Sequence, residues 1–314
     1  NLIISFSAHK YYRFSPFHLP IAVVLAIFLP FDYQNLIGAL GILSVGILHG
    51  ANDLAILVKR KKNTKTGTPN YLAQYLGVIV LAAFIFYMLP ALALLGFVLI
   101  SAYHFGEQHW ETKEVKSITP FLFHLTYGLF IFFLLFSAQI EPVREVIYTI
   151  TGYALSPMLF YGGLLTTAVL SFLMLLDKSK IRFLMWELLL WAILAIIFQY
   201  GSLIFAFAYY FVFWHSIPSL KEQLIYLYEK PSINVLVLYL KKAGLYWFLA
   251  LVGLLTLLLT VDLQADYILP LFFTFLAAIT FPHAVVMYMM FRDHRIDRKN
   301  HTKASSNPSR KLTL

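Results

Sequence analysis

Cysteine does not occur anywhere in these 314 residues. Its absence removes disulfides and thiolate metal ligands together, so any bound metal must sit on imidazole, carboxylate or carbonyl groups. Charge is scarce as well. Charged residues make up 12% of the chain, against about a quarter in an ordinary soluble domain. With 60% hydrophobic residues and a mean hydropathy of +0.76, the class that fits is a multi-spanning membrane protein surrounded by lipid. There is no Gly-rich phosphate loop and no serine in a nucleophile-elbow setting, and Ser216 beside His215 is an adjacent pair on one helix rather than a hydrolase dyad. The net charge of +9 does not imply a nucleic-acid partner, because Lys and Arg sit in short connections between apolar runs. That placement is the signature of membrane orientation.

Apolar runs of spanning or near-spanning length occur at 17–31, 36–58, 71–89, 91–109, 118–138, 157–176, 182–199, 202–219, 243–261 and 267–290. The expected fold is therefore all-α, a polytopic bundle of about ten transmembrane helices forming a single domain over 1–291. The first run lacks a small-residue cleavage site and reads as a retained helix. The basic tail, 292–314, is polar and expected to be disordered. Connections alternate in character. Lys10 and Arg13, the 59–65, 111–117 and 177–182 segments, the stretch Lys221 to Lys242 and the tail are basic, whereas the intervening connections carry only Arg144. Ten helices with this alternation put both termini in the cytoplasm. Segment 218–242 is long for a loop and reads as amphipathic helices lying along the inner surface.

Four histidines fall inside the runs: His49 in GILHGANDL, His104 in AYHFGEQHW, His215 in FVFWHSIPSL and His283 in TFPHAVVM. The alternation makes all four of these helices enter from the outer side, and each histidine lies about 20–24 Å down its helix. A lone membrane histidine is more often a helix-to-helix hydrogen bond than a ligand. Four at one depth favour a shared metal, since neutral imidazole is a common ligand for iron, zinc and copper. Asp53 lies four residues after His49, where it can fix the imidazole tautomer or cap the helix near the Lys59–Lys62 cluster. Glu107 can do the same for His104 or face water at the membrane edge. His109, five residues after His104, points elsewhere on a regular helix. It becomes a ligand only if Gly106 allows a distortion, and is otherwise an interfacial histidine beside Trp110.

At these motifs the chain resembles the Brp/Blh family, integral-membrane β-carotene 15,15′-dioxygenases associated with bacterial rhodopsins. HGANDL around His49, HFGEQHW around His104, FWHS around His215 and FPH around His283 carry the resemblance. It implies a non-haem Fe(II) enzyme of the bacterial inner (plasma) membrane that uses O2 to split the central double bond of β-carotene, or a related carotenoid, into two retinal molecules. It also implies contact with membrane lipid and a functional link to a retinal-binding rhodopsin. Family members often carry a further histidine ligand four residues after the FWHS histidine, where this chain has Ser219, and commonly an acidic residue at the position of His109. Either His109 or His283 therefore completes the set with His49, His104 and His215.

Two other readings fit the residues. A di-iron hydroxylase or desaturase would need His-x-x-His pairs, and none lies within the runs. A transporter with a histidine proton relay would show repeated halves, and no repeat is visible, although Pro20, Pro90, Pro218 and Pro282 leave room for broken helices.

Overall fold

Apolar runs of this length satisfy their own backbone hydrogen bonds only as helices unless strands close into a barrel, and the described chain is built from helices. The computed structural model describes residues 18–62, 70–110, 118–178, 180–229, 232–260 and 265–305. Thirteen α-helices follow in order: α1 His18–Phe28, α2 Phe31–Gly41, α3 Asp53–Lys62, α4 Tyr71–Met88, α5 Pro90–Trp110, α6 Ile118–Ala138, α7 Ile140–Thr151, α8 Pro157–Leu175, α9 Leu184–Tyr200, α10 Leu203–Tyr210, α11 Ile217–Tyr228, α12 Ile233–Thr260 and α13 Ala265–Ser305. No strand occurs among the described residues. Lys10, Arg13, the 111–117 segment, residues 261–264 and the end of the tail lie outside them.

Among the described residues, eight helical stretches are long and apolar enough to cross a membrane, two fewer than the ten runs suggest. The first run is the 11-residue α1. The second is broken by a one-turn π segment at Ile42–Gly46 and by a turn at 49–52. Large apolar side chains such as Leu72, Val80, Leu92, Leu165 and Leu255 face outward, a surface suited to lipid.

The first half of the 218–242 stretch corrects the expectation of surface helices. Leu203–Tyr228 is one continuous helical stretch, most of it buried, and α12 already begins at Ile233. The reason is visible in the side chains: Ser219, Glu222 and Gln223 are buried and need protein around them. Residues 140–151 form α7 rather than a loop, with Val143 and Val146 turned inward and Gly152 closing the helix at φ 74°. The backbone of α13 stays helical beyond Arg292 to Ser305, where irregular chain was expected.

The closest packing in the bundle joins α5 and α6. A Cβ on Gly106 would strike the backbone of His124, and one on Gly128 would strike the backbone of Ala102. Two glycines on facing helices thus let the backbones touch, as small residues do between membrane helices. Pro90 starts α5 at a position where its missing N–H costs nothing. α5 then runs unbroken from Pro90 to Trp110, so the distortion considered at Gly106 does not occur.

Candidate metal centre

Two π turns lie at the centre of the bundle. One, Ile42–Gly46, precedes His49, and the other, Phe211–Ser216, contains His215. A π turn inserts one residue and rotates the side chains that follow, and such turns are frequent at functional sites. Gly46 has to be small, because a Cβ there would meet the Phe211 ring at 2.8 Å. Ser216 donates its hydroxyl to the Phe211 carbonyl at 2.9 Å, supplying that oxygen with a partner inside the widened turn.

The four histidines converge. Ring centroids are 4.8 Å apart for His49 and His215, 4.7 Å for His49 and His283, 4.9 Å for His104 and His215, and 5.7 Å for His104 and His283. Ligand nitrogens of His49, His215 and His283 all lie within 4.8 Å of one another, and the Nε2 atoms of His49 and His215 are 3.0 Å apart. All four side chains are buried. The Nε2 atoms of His104 and His283 have no hydrogen-bond partner among the described residues. Buried nitrogens left unpaired are costly, and a shared cation relieves that cost for all of them together. The donor set is uncharged imidazole, suited to a divalent first-row metal. His49, His215 and His283 could hold such an ion, with His104 against the same point.

Asp53 is buried beside this group, but its partner differs from the one its sequence position suggests. Residues 49–52 form a turn, so the i, i+4 relation to His49 does not apply. Asp53 accepts instead from His283 Nδ1, at 3.0 and 3.1 Å from its two oxygens, and from the Tyr75 hydroxyl at 2.9 Å. Holding the proton on Nδ1 leaves His283 Nε2 as the lone-pair nitrogen. His49 is fixed through its backbone. The Gln223 side-chain amide donates to the His49 carbonyl at 2.7 Å and to Ser219 Oγ at 3.2 Å, while the Tyr239 hydroxyl donates to Gln223 Oε1 at 2.8 Å. Ser219 is therefore enclosed in the polar network behind the histidines.

The structure does not bring His109 and Glu107 to this centre. His109 Nε2 lies 3.2 Å from Glu187 Oε1, and the Tyr127 hydroxyl donates to Glu187 Oε2 at 2.6 Å. These three make a separate buried cluster across α5, α6 and α9. Glu107 is buried rather than water-facing and accepts from the Tyr103 hydroxyl at 3.2 Å. Glu187 left a sequence signal, as the only acidic residue in the 182–199 run. Gln223 also did, two turns beyond His215. Tyr75 left none.

A cavity of about 590 Å³ reaches the centre. His49, Asp53, His215 and His283 line one end, and Phe97, Phe105, Phe207, Phe211 and Leu276 line much of the rest. Leu72 and Leu76 of α4 and Leu245 and Leu249 of α12 also line it, and all four are exposed on the outer face, which marks an opening between α4 and α12.

No curated protein and no solved structure matches the chain. The family described as beta-carotene 15,15′-dioxygenase does match, over residues 40–291, and that span takes in all four converging histidines. A metal-competent imidazole cluster at the end of an apolar cavity is what oxidative cleavage of a hydrocarbon calls for, and with a match over most of its length the chain belongs to the beta-carotene 15,15′-dioxygenase family, the carotenoid-cleaving oxygenases.

Proposed function

We propose that this protein is a membrane-embedded iron enzyme that cleaves the central 15,15′ double bond of β-carotene with O2 to give two molecules of retinal. The observation that carries this reading is the convergence of His49, His104, His215 and His283, from four separate segments, with His49, His215 and His283 lining an apolar cavity. The reaction balances without another reagent: the central carbon–carbon double bond breaks, and each carbon takes one oxygen atom as an aldehyde. Iron, held by these imidazoles, would supply the redox chemistry with O2.

The remaining work falls to the chain. Asp53 and Tyr75 hold His283 with its Nε2 turned inward, and Gln223 and Tyr239 hold the His49 backbone. The aromatic and aliphatic lining excludes water and orients the polyene. A carotenoid dissolved in the bilayer would enter through the opening between α4 and α12, with no transfer through water. The protein lies in the inner membrane of a bacterium, in contact with lipid, with both termini and the basic tail in the cytoplasm. Its retinal product suits a retinal-binding rhodopsin.

Expression in a β-carotene-producing bacterium tests this reading. Loss of orange colour with retinal accumulating, and iron in the purified protein, is the expected result. Unchanged pigment with well-inserted, iron-loaded protein would overturn it.

A further inference from the structure

A second cavity, of about 300 Å³, lies next to the one that reaches the histidines. Its lining is almost wholly hydrocarbon, from α5, α6, α7, the start of α8, α10 and α13. Phe97 and Phe207 line both cavities. The order of residues along three helices is the same. On α10 and the π turn after it, Leu203 faces the far cavity, Phe207 both, and Phe211 and His215 the near one. On α5, Leu94 faces the far cavity, Phe97 both, and Ser101 the near one, with His104 beyond. On α13, Phe273 faces the far cavity, and Leu276, Thr280 and His283 the near one. Four-residue steps such as Leu203, Phe207 and Phe211 keep one helix face along the path.

We propose that the two cavities form one substrate tunnel, that the far cavity receives an end ring of the carotenoid, and that Phe97 and Phe207 clasp the polyene between them. The far cavity then works as a ruler that sets which double bond lies at the histidines. This rests on the carotenoid-cleaving reading above. A two-ringed carotenoid is roughly 30 Å long, comparable to the hydrocarbon thickness of a bilayer. Its centre is thus about 15 Å from either end, or about ten residues of helix rise. Counting back ten residues from His104 reaches Leu94, and from His283 reaches Phe273, both in the lining of the far cavity. From His215 the same count reaches Phe205, between Leu203 and Phe207. Three helices thus place the ring at one level. The other half of the molecule takes the opening between α4 and α12.

The throat has the chemistry for this task. Phe207 stacks on Phe211 at 5.3 Å and meets Phe273 edge-on at 5.5 Å, so its ring is held by neighbours on both sides. A flat conjugated chain fits between aromatic faces, while a bulky end ring needs the wider space beyond. Val143 and Val146 on α7 line the far cavity and not the one that reaches the histidines.

The test fills the far cavity from that wall, with Val146→Trp and separately with Leu94→Trp. Two pigments serve as probes: β-carotene, and an apocarotenal that keeps one end ring and is shortened at the other end. Binding is read from the absorption of pigment retained by metal-free purified protein, and cleavage is read on the iron-loaded protein. Both variants should lower retention of β-carotene by about tenfold and hold the apocarotenal within about twofold of wild type. On the iron-loaded protein, any residual cleavage of β-carotene should move off centre, giving unequal aldehydes. Equal retention of the two pigments by wild type and both variants overturns the ruler, whether or not cleavage occurs. Loss of both pigments from both variants also overturns it, provided each variant melts as wild type does. Length-dependent retention without cleavage would keep the tunnel and remove the dioxygenase reading instead.

Discussion

Asp53 and His283 stand 230 residues apart in sequence, and the carboxylate oxygens of one meet Nδ1 of the other at 3.0 and 3.1 Å. The pair ties α3 to α13 and decides which imidazole nitrogen of His283 turns toward the other three histidines. That choice has to be made before a metal can bind, because only the lone-pair nitrogen coordinates.

Replacing any of His49, His104, His215 or His283 by Ala is expected to empty the centre of metal and abolish cleavage while the protein still inserts. Asp53→Asn should be milder, with metal affinity or turnover falling about 10–100-fold, because it disturbs orientation and leaves the ligands in place. Metal content by elemental analysis, with retinal formation beside it, checks both. A fully loaded His283→Ala protein would remove that residue from the centre.

His109→Ala should behave differently. It takes a partner from the buried Glu187 carboxylate, so stability should fall by about 1–3 kcal/mol, yet the metal should remain. Thermal melting together with metal content separates the two roles. An empty centre with an unchanged melting temperature would return His109 to the ligand set.

The α5–α6 contact predicts opposite signs for the same substitution at different glycines. Gly106→Ala and Gly128→Ala push a methyl group into facing backbone and should each cost about 1–3 kcal/mol or more. Gly244→Ala on α12, where nothing lies within 4 Å, should be neutral or stabilising by up to about 1 kcal/mol. Melting temperatures in one detergent provide the comparison, and a stable Gly106→Ala protein would contradict the close approach.

Orientation follows from loop charge. Reporter fusions after Arg60 and after Asp177 should read cytoplasmic, and one in the connection after Gly152 should read outside. A cytoplasmic signal at the Gly152 position would undo the proposed topology.

Of the site, the residue types and their depth were legible in the chain itself. Each of His49, His104, His215 and His283 is a polar group inside an apolar run, and such groups are expensive enough to be informative one at a time. The same holds for the helices, because a long apolar run has few other ways to satisfy its backbone. Helix ends were less legible. Residues 218–228 look amphipathic in isolation, and only the neighbours that bury Ser219, Glu222 and Gln223 make them part of a continuous buried stretch.

Pairing was decided by the tertiary structure. Spacing along one chain gives the direction of a side chain only while the helix is regular, and the π turns at Ile42–Gly46 and Phe211–Ser216 and the turn at 49–52 break that rule where the histidines are aimed. Asp53 therefore serves His283 rather than the neighbouring His49. His109 meets Glu187, 78 positions away, because α5 stays regular at Gly106 and turns that face toward α9. The sequence by itself determined that the chain is helical, apolar and furnished with four imidazoles at one depth. Which of its other polar groups would stand beside them depended on how the helices pack, since a contact between distant segments leaves no periodic trace in either one.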